Sequence, residues 1–191
     1  MTEEITMFAQ VSNSLLQLHP FSTAELGLIK ERLKLHRLKK GELLLREGQV
    51  CNGLYYLDHG SLTQNRNKDG EAAVTGLFTP GDWLMDNRSF VSRRPSNTSI
   101  TAFEESQVFE LDIDAIHELI GISQLFFRLG TLFENRFDGV EEAGSLSSID
   151  EKYLLLMQSR PKILQTFPLK LIASYLQITP ETLSRVRSRI K

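Results

Sequence analysis

The sequence predicts an α+β chain: an N-terminal β-roll of the double-stranded β-helix or jelly-roll kind, a long helix, and a C-terminal helix-turn-helix. Three observations predict it. Between Leu38 and Leu111, short apolar runs alternate with the glycines Gly41, Gly48, Gly53, Gly60, Gly70, Gly76 and Gly81, the punctuation of a small all-β barrel or roll. Ile122, Phe126, Leu129, Phe133, Arg136, Val140 and Ala143 then alternate by four and three, the spacing of a coiled-coil seam. Finally, two short helical patterns flank Gln177-Ile178, which leaves room only for a tight turn.

The elements follow in order. Ser22-Thr23-Ala24-Glu25 is a capping-box pattern and opens a helix expected to run to about Leu35 through Leu26, Ile29 and Leu33. Leu43–Leu45, Leu54–Leu57, Ala73–Thr75 and Val108–Leu111 read as strands. Asp58-His59-Gly60 reads as a turn, and Lys68-Asp69-Gly70 as a hairpin turn. Asp112 or Asp114 caps the next helical region. The long helix carries Leu125 and Leu132 beside its seam. A stripe this apolar requires burial, either by a second copy of the chain or by the chain's own β-domain. Gly130, Gly139 and Gly144 each weaken the helix by roughly 1 kcal/mol relative to alanine. A further helix runs from Ile149 to Gln158 and stops near Arg160-Pro161, and another starts at Pro168 and ends at Leu176. The domain boundaries expected are therefore 1–120, 121–147 and 148–191.

The closing helix carries the most specific chemistry. Thr179 suits the N-cap, and Pro180 suits the first helical position, where its missing N–H costs nothing. Glu181 lies in the first turn, where the helix dipole favours an anion, and Arg185 lies one turn on along the same face. A carboxylate and a guanidinium so placed can each read a base edge in the DNA major groove, Glu on cytosine N4 and Arg on guanine O6 and N7. Leu176, Ile178, Leu183 and Val186 supply a small core beneath it. Thr182, Ser184, Arg187 and Arg189 complete the candidate DNA-contacting set.

Charge is distributed to match. The 191-residue chain has a net charge of −2, yet from Arg160 onward seven basic residues face only Glu181, leaving that segment at +6 and the remainder at −8. An acidic body with a basic end suits a nucleic-acid reader, and a solvated basic helix is the plainer alternative. Cys51 is the only cysteine, which excludes an internal disulfide, a zinc finger and a cysteine-held iron–sulfur cluster. The acidic start Met1-Thr2-Glu3-Glu4 has no secretory pattern and no stretch approaches a membrane span, so a cytoplasmic protein without membrane contact is expected. Nucleophile-elbow, P-loop and paired-histidine metal motifs are missing. His19, His36, His59 and His117 are scattered, and Asp112, Asp114 and His117 are better explained by helix capping. The chain is not expected to be an enzyme.

Lys40-Gly41-Glu42-Leu43-Leu44-Leu45-Arg46-Glu47-Gly48-Gln49, then Leu54-Tyr55-Tyr56-Leu57-Asp58-His59-Gly60, then Pro80-Gly81-Asp82-Trp83, and finally Glu181-Thr182-Leu183-Ser184-Arg185 occur in this order. Together they resemble the Crp–Fnr family of bacterial transcription regulators over nearly the whole chain, the last motif being closer to the Fnr type. The resemblance implies a cyclic-nucleotide-binding β-roll, a dimer helix over 121–147 and a homodimer reading a near-palindromic double-stranded DNA site. It also implies a cyclic nucleotide or other small effector, and RNA polymerase as a candidate partner. The alternative is a cyclic-nucleotide-binding regulatory module that acts through protein partners without specific DNA binding.

The effector cassette departs from the family pattern. The position of the ribose-binding glutamate carries Asp86, preceded by Met85. The phosphate-clamping Arg-Ser pair corresponds to Ser96-Asn97, with Arg93 and Arg94 two or three residues early. Phe137-Asp138 replaces the purine-facing Thr-Ser pair, and Trp83 and Met85 are bulky enough to fill the pocket. Without the bidentate arginine the main anchor is missing, so cyclic AMP is not expected to bind tightly. Asp86, Arg93, Arg94, Ser96 and Asn97 remain the candidate effector contacts, with Arg93 or Arg94 the rival clamp. Family members continue into a β-hairpin wing. With the chain ending at Lys191, the expectation is a wingless or truncated reader that depends on Arg187, Arg189 and Lys191 for phosphate contacts.

Overall fold

The computed structural model describes residues 2–68, 71–134 and 148–190. Two four-stranded antiparallel sheets form the roll. Strands β1 (Lys34–Leu38), β3 (Gly53–His59), β6 (Trp83–Leu84) and β8 (Ser106–Asp112) make one, in the order β1-β8-β3-β6. Strands β2 (Leu43–Leu45), β4 (Leu62–Lys68), β5 (Glu71–Phe78) and β7 (Ser99–Ala102) make the other, in the order β2-β7-β4-β5. Leu57, Leu62, Ile100, Val108 and Leu111 are completely buried in the core of the roll. The expected strands all form. The hairpin joins Lys68 to its register partner Glu71, and Asp69-Gly70 themselves lie outside the described residues.

The polar sequence Leu62-Thr63-Gln64-Asn65-Arg66-Asn67-Lys68 gives little strand signal, yet it is a central strand flanked by β5 and β7. Pairing on both sides satisfies its backbone, and that is a tertiary fact. Gly60 shows how tightly the roll is drawn together. Its φ is +86°, and a Cβ there would lie 2.3 Å from the Glu105 carbonyl oxygen and from Ser106 Oγ. Only glycine fits both the backbone angle and the space.

Helix α1 (Thr2–Leu18) covers the outer face of β3. Phe8, Val11, Leu15 and Leu18 pack into the main core at three- and four-residue spacing, an amphipathic pattern that the sequence reading missed. Helix α2 (Thr23–Lys30) begins with the expected capping box, Ser22 Oγ accepting from Glu25 N and Glu25 accepting from Ser22 N. It ends five residues before the expected Leu35, because Lys34–Leu38 pair with Ser106–Glu110 as β1. Helix α3 (Asn87–Ser92) lies between β6 and β7.

The long helix expected over 121–147 is not continuous in its described part. Helix α4 (Ile113–Ile122), capped by Asp112, stops at Ser123, whose backbone is extended and whose hydroxyl accepts from Leu125 N. A 3-10 segment, Gln124–Gly130, and a short helix α5 (Thr131–Glu134) follow. The reason is burial. Phe126 and Leu129, expected on the dimer seam, are 0% and 1% exposed inside the chain's own core, where Phe126 stacks on Phe21 at 6.0 Å between ring centroids. Residues 135–147, which include Phe137-Asp138 and the rest of the seam, lie outside the described residues.

Four helices complete the chain: α6 (Ile149–Ser159), α7 (Pro161–Thr166), α8 (Leu169–Tyr175) and α9 (Pro180–Arg189). The first of these stops where expected, before Arg160-Pro161, and Pro161 also opens α7, a position its missing N–H suits. Tyr153, Leu156, Ile163, Phe167, Ile172, Ala173, Leu176, Leu183 and Val186 are buried together, and Val74 and Leu77 of β5 join them. No helix among the described residues is long and apolar enough to cross a membrane.

Candidate effector cassette and nucleic-acid interface

The turn before β6 is built by Asp82, whose carboxylate accepts from Thr79 N at 2.7 Å, while Gly81 takes a φ of +103°. Two residues of β6 then deliver Met85 and Asp86 into the cassette. Asp86 is only 5% exposed. Its Oδ1 caps α3 by accepting from Ser89 N at 2.9 Å. Its Oδ2 accepts from Ser96 Oγ at 2.5 Å and from Thr98 Oγ1 at 2.9 Å, and Thr98 Oγ1 in turn accepts from Gln64 Nε2 at 2.8 Å. Gln64, Ser96 and Thr98 are all buried. A carboxylate thus holds the two cassette hydroxyls that face it, in a network whose donors and acceptors match.

The structure brings Asp86 and Ser96 together and leaves the other candidates apart. Arg93 ends α3 with a φ of +57° and turns away, donating to the Cys51 carbonyl at 3.1 Å and to Asn52 Oδ1 at 2.5 Å. The side chains of Arg94 and Asn97 are exposed, and the Arg94 carbonyl accepts from Ser89 Oγ. Arg93 is thus engaged with the Cys51–Asn52 segment. Trp83 does not enter the cassette either: its Nε1 donates to Ser14 Oγ of α1 at 2.8 Å, and its ring packs on Tyr56 at 5.1 Å. Met85 is buried in the main core. Gln64 and Thr98 were missed by the sequence reading, because neither belongs to a family motif and β4 itself was not recognised.

A hollow of about 590 Å³ opens between β1, β2 and β3, lined among others by His36, Gln49, Asn52, Tyr55 and Glu110. His36 Nε2 lies 2.6 Å from Glu110 Oε2. Burial, with the Glu110 charge beside it, pushes the Tyr55 phenol well above its ordinary range, so it is a neutral donor here. Among the described residues, no group of three or more His, Cys, Asp or Glu side chains could hold a metal ion.

At the other end, α8, a turn and α9 form the expected helix-turn-helix. Gln177 takes the left-handed φ of +59° that closes the turn, and Ile178 N donates back to the Ala173 carbonyl at 2.9 Å. Thr179 Oγ1 caps α9 by accepting from Thr182 N at 3.2 Å, with Pro180 at the first position. Leu183 and Val186 are each 1% exposed on the inner face. Glu181, Ser184, Arg185 and Ser188 share the outer face, since residues spaced by three, four and seven coincide on a helix, and all four are exposed. Its own first-turn backbone N–H and the Thr179 hydroxyl, with Arg185 adding to them, hold the Glu181 carboxyl below its usual range. Arg187 and Arg189 flank that face on opposite sides. Arg189 is engaged within the chain, its Nη2 donating to Asp150 Oδ1 at 2.5 Å with the arginine side chain 63% exposed. Thr182 is half-buried against the cap. Lys191 lies outside the described residues.

Comparison with known proteins places this architecture. Residues 35–122 match the cyclic nucleotide-binding domain family. The chain is 27% identical over 178 residues to the transcriptional regulatory protein btr of Bordetella pertussis, covering 85% of this chain and 72% of the relative. Among solved structures, the catabolite activator protein of Thermus thermophilus aligns with a TM-score of 0.57 and 19% identity, over 91% of this chain and 85% of that one. FixK2 from Bradyrhizobium japonicum aligns with a TM-score of 0.64 and 16% identity, over 83% and 84% respectively.

Proposed function

We propose that the chain is a sequence-specific, homodimeric DNA-binding transcription regulator of the Crp–Fnr type and not an enzyme, a reading supported by the match of residues 35–122 to the cyclic nucleotide-binding domain family and by the similarity to a transcriptional regulatory protein. The single observation that carries this reading is the outer face of α9, where Glu181 and Arg185 stand exposed one turn apart behind a Thr179 cap. Arg185 forks onto a guanine, Glu181 accepts from a cytosine, and Thr182 and Ser184 lie beside them in the groove. Arg187 reaches phosphate on one side. On the other, Arg189 exchanges Asp150 for phosphate.

Dimerisation supplies the second recognition helix, about one DNA turn away. Ile122 and Phe127 support the expectation that the pairing surface starts at residue 121, because they are 54% and 62% exposed while their neighbour Phe126 is buried. Two such hydrophobics on one short segment suit burial against a second copy. The effector domain is of the cyclic-nucleotide type, and cyclic AMP is not a tight ligand, a reading supported by the engagement of Ser96 with Asp86 and of Arg93 with Cys51 and Asn52.

Selection of bound sequences from a random DNA pool tests the proposal, run with and without cyclic nucleotides. Enrichment of an inverted repeat, with the preference relaxed at one base position of each half in Arg185→Ala, is the expected outcome. Recovery of no preferred sequence by the intact protein overturns it.

A further inference from the structure

β5 is an edge strand, with β4 on one side only. Edge strands need cover, and here the cover is the helix-turn-helix unit of the same chain. Val74 N donates to Ser174 Oγ of α8 at 3.1 Å, a hydrogen bond spanning a hundred residues. Val74 and Leu77 belong to the hydrophobic core of the C-terminal helices and not to that of the roll. Phe103, just beyond β7, packs on Phe167 at 5.2 Å between ring centroids, and Lys162 Nζ donates to the Pro80 carbonyl at 3.1 Å.

At one end of this seam, the Asp82 carboxylate and the Arg160 guanidinium are in contact, their side chains 15% and 12% exposed. Each residue has a local duty as well. Asp82 closes the turn into β6 through Thr79 N. Arg160 is the junction residue between α6 and α7, with a non-helical backbone (φ −140°, ψ 56°) before Pro161. A buried pair of this kind is poorly replaced by water, and removal of one partner strands the other charge.

We propose that Asp82 and Arg160 form a clasp that seats the helix-turn-helix unit on the β5 edge of its own roll, so that opening and closing the clasp sets the pose in which α9 is offered to DNA. The first half concerns only the chain. The second half rests on the DNA-reading function proposed above.

Amide hydrogen exchange of the full chain separates the two halves. The Val74 amide reports the seam directly, because its acceptor belongs to the other unit. In Arg160→Met and in Asp82→Asn, exchange at Val74 rises at least tenfold while amides of the β3–β8 ladder keep their rates. The double variant is no faster than the quicker of the two singles, because both changes remove one interaction. Ser174→Ala, which leaves the ion pair in place, provides the reference rate for a Val74 amide without its acceptor. An unchanged Val74 rate in both single variants overturns the clasp, as does an additive double variant. If Arg160→Met also accelerates the β3–β8 ladder, the isosteric Asp82→Asn decides alone.

DNA titration then tests the second half. Affinity for the selected site shifts at least fivefold, and in the same direction, in Arg160→Met and Asp82→Asn. Equal affinity in variants whose Val74 amide has opened overturns the regulatory role and leaves the joint. Failure of the wild-type chain to prefer any sequence overturns the DNA reading and leaves the exchange result standing.

Discussion

The Ser96 hydroxyl sits 2.5 Å from the Asp86 carboxylate inside the cassette, and both residues are buried. The hydroxyl expected to face a cyclic phosphate is therefore already engaged by a carboxyl of the protein. Calorimetric titration with cyclic AMP and with cyclic GMP is expected to give no saturable heat up to millimolar ligand. Micromolar affinity for either would show that Asp86 leaves the cassette.

The two arginines of α9 are expected to behave differently. Arg185→Ala should cost roughly 1–3 kcal/mol at the selected site and relax the preference at one base position. Arg187→Ala should weaken all sequences about equally and lower the slope of log affinity against log salt by about 0.9, the share of one neutralised phosphate. Electrophoretic titration at two salt concentrations distinguishes them. A uniform weakening in Arg185→Ala would remove it from the base-reading face.

Adjacent phenylalanines in the 3-10 segment should separate fold from assembly. Phe126 is fully buried, so Phe126→Ala should destabilise the chain by about 3–5 kcal/mol in chemical denaturation. Phe127 is 62% exposed, so Phe127→Glu should leave the fold intact and convert dimer to monomer in analytical ultracentrifugation. A dimer that tolerates Phe127→Glu places the interface elsewhere.

Asp112 should give the chain an acid-sensitive contribution. The Lys34 ammonium, then the Ala115 N–H it caps, hold its carboxyl below the usual value. A depressed folded-state pKa contributes stability above the unfolded value of about 3.9 and loses it as pH falls through the folded value. Asp112→Ala should therefore cost about 1 kcal/mol near neutral pH, as an N-cap does. The gap from the parent chain should close below about pH 4, where the unfolded-state carboxyl begins to bind its proton. A gap independent of pH would mean that the ionised carboxylate is not what caps α4.

Local chemistry of adjacent residues determined much of this protein. The Ser22 and Thr179 caps, a cap at Asp112 or Asp114, the glycine-punctuated strands and the recognition-helix pattern are each decided within a few residues, and so they could be read directly from the sequence. Four features were decided only by tertiary structure. β4 is polar and becomes a central strand because β5 and β7 satisfy its backbone on both sides. The seam spacing of Phe126 and Leu129 fits a dimer helix equally well, and the roll captures both side chains because its core offers them burial. Asp86 reads as a ribose contact, yet ten residues away Ser96 supplies a hydroxyl that turns it inward. Asp82 and Arg160 are 78 positions apart, and no periodicity links them. Periodicity and capping are properties of neighbouring residues, whereas choosing among burial partners depends on which surfaces the completed fold brings together.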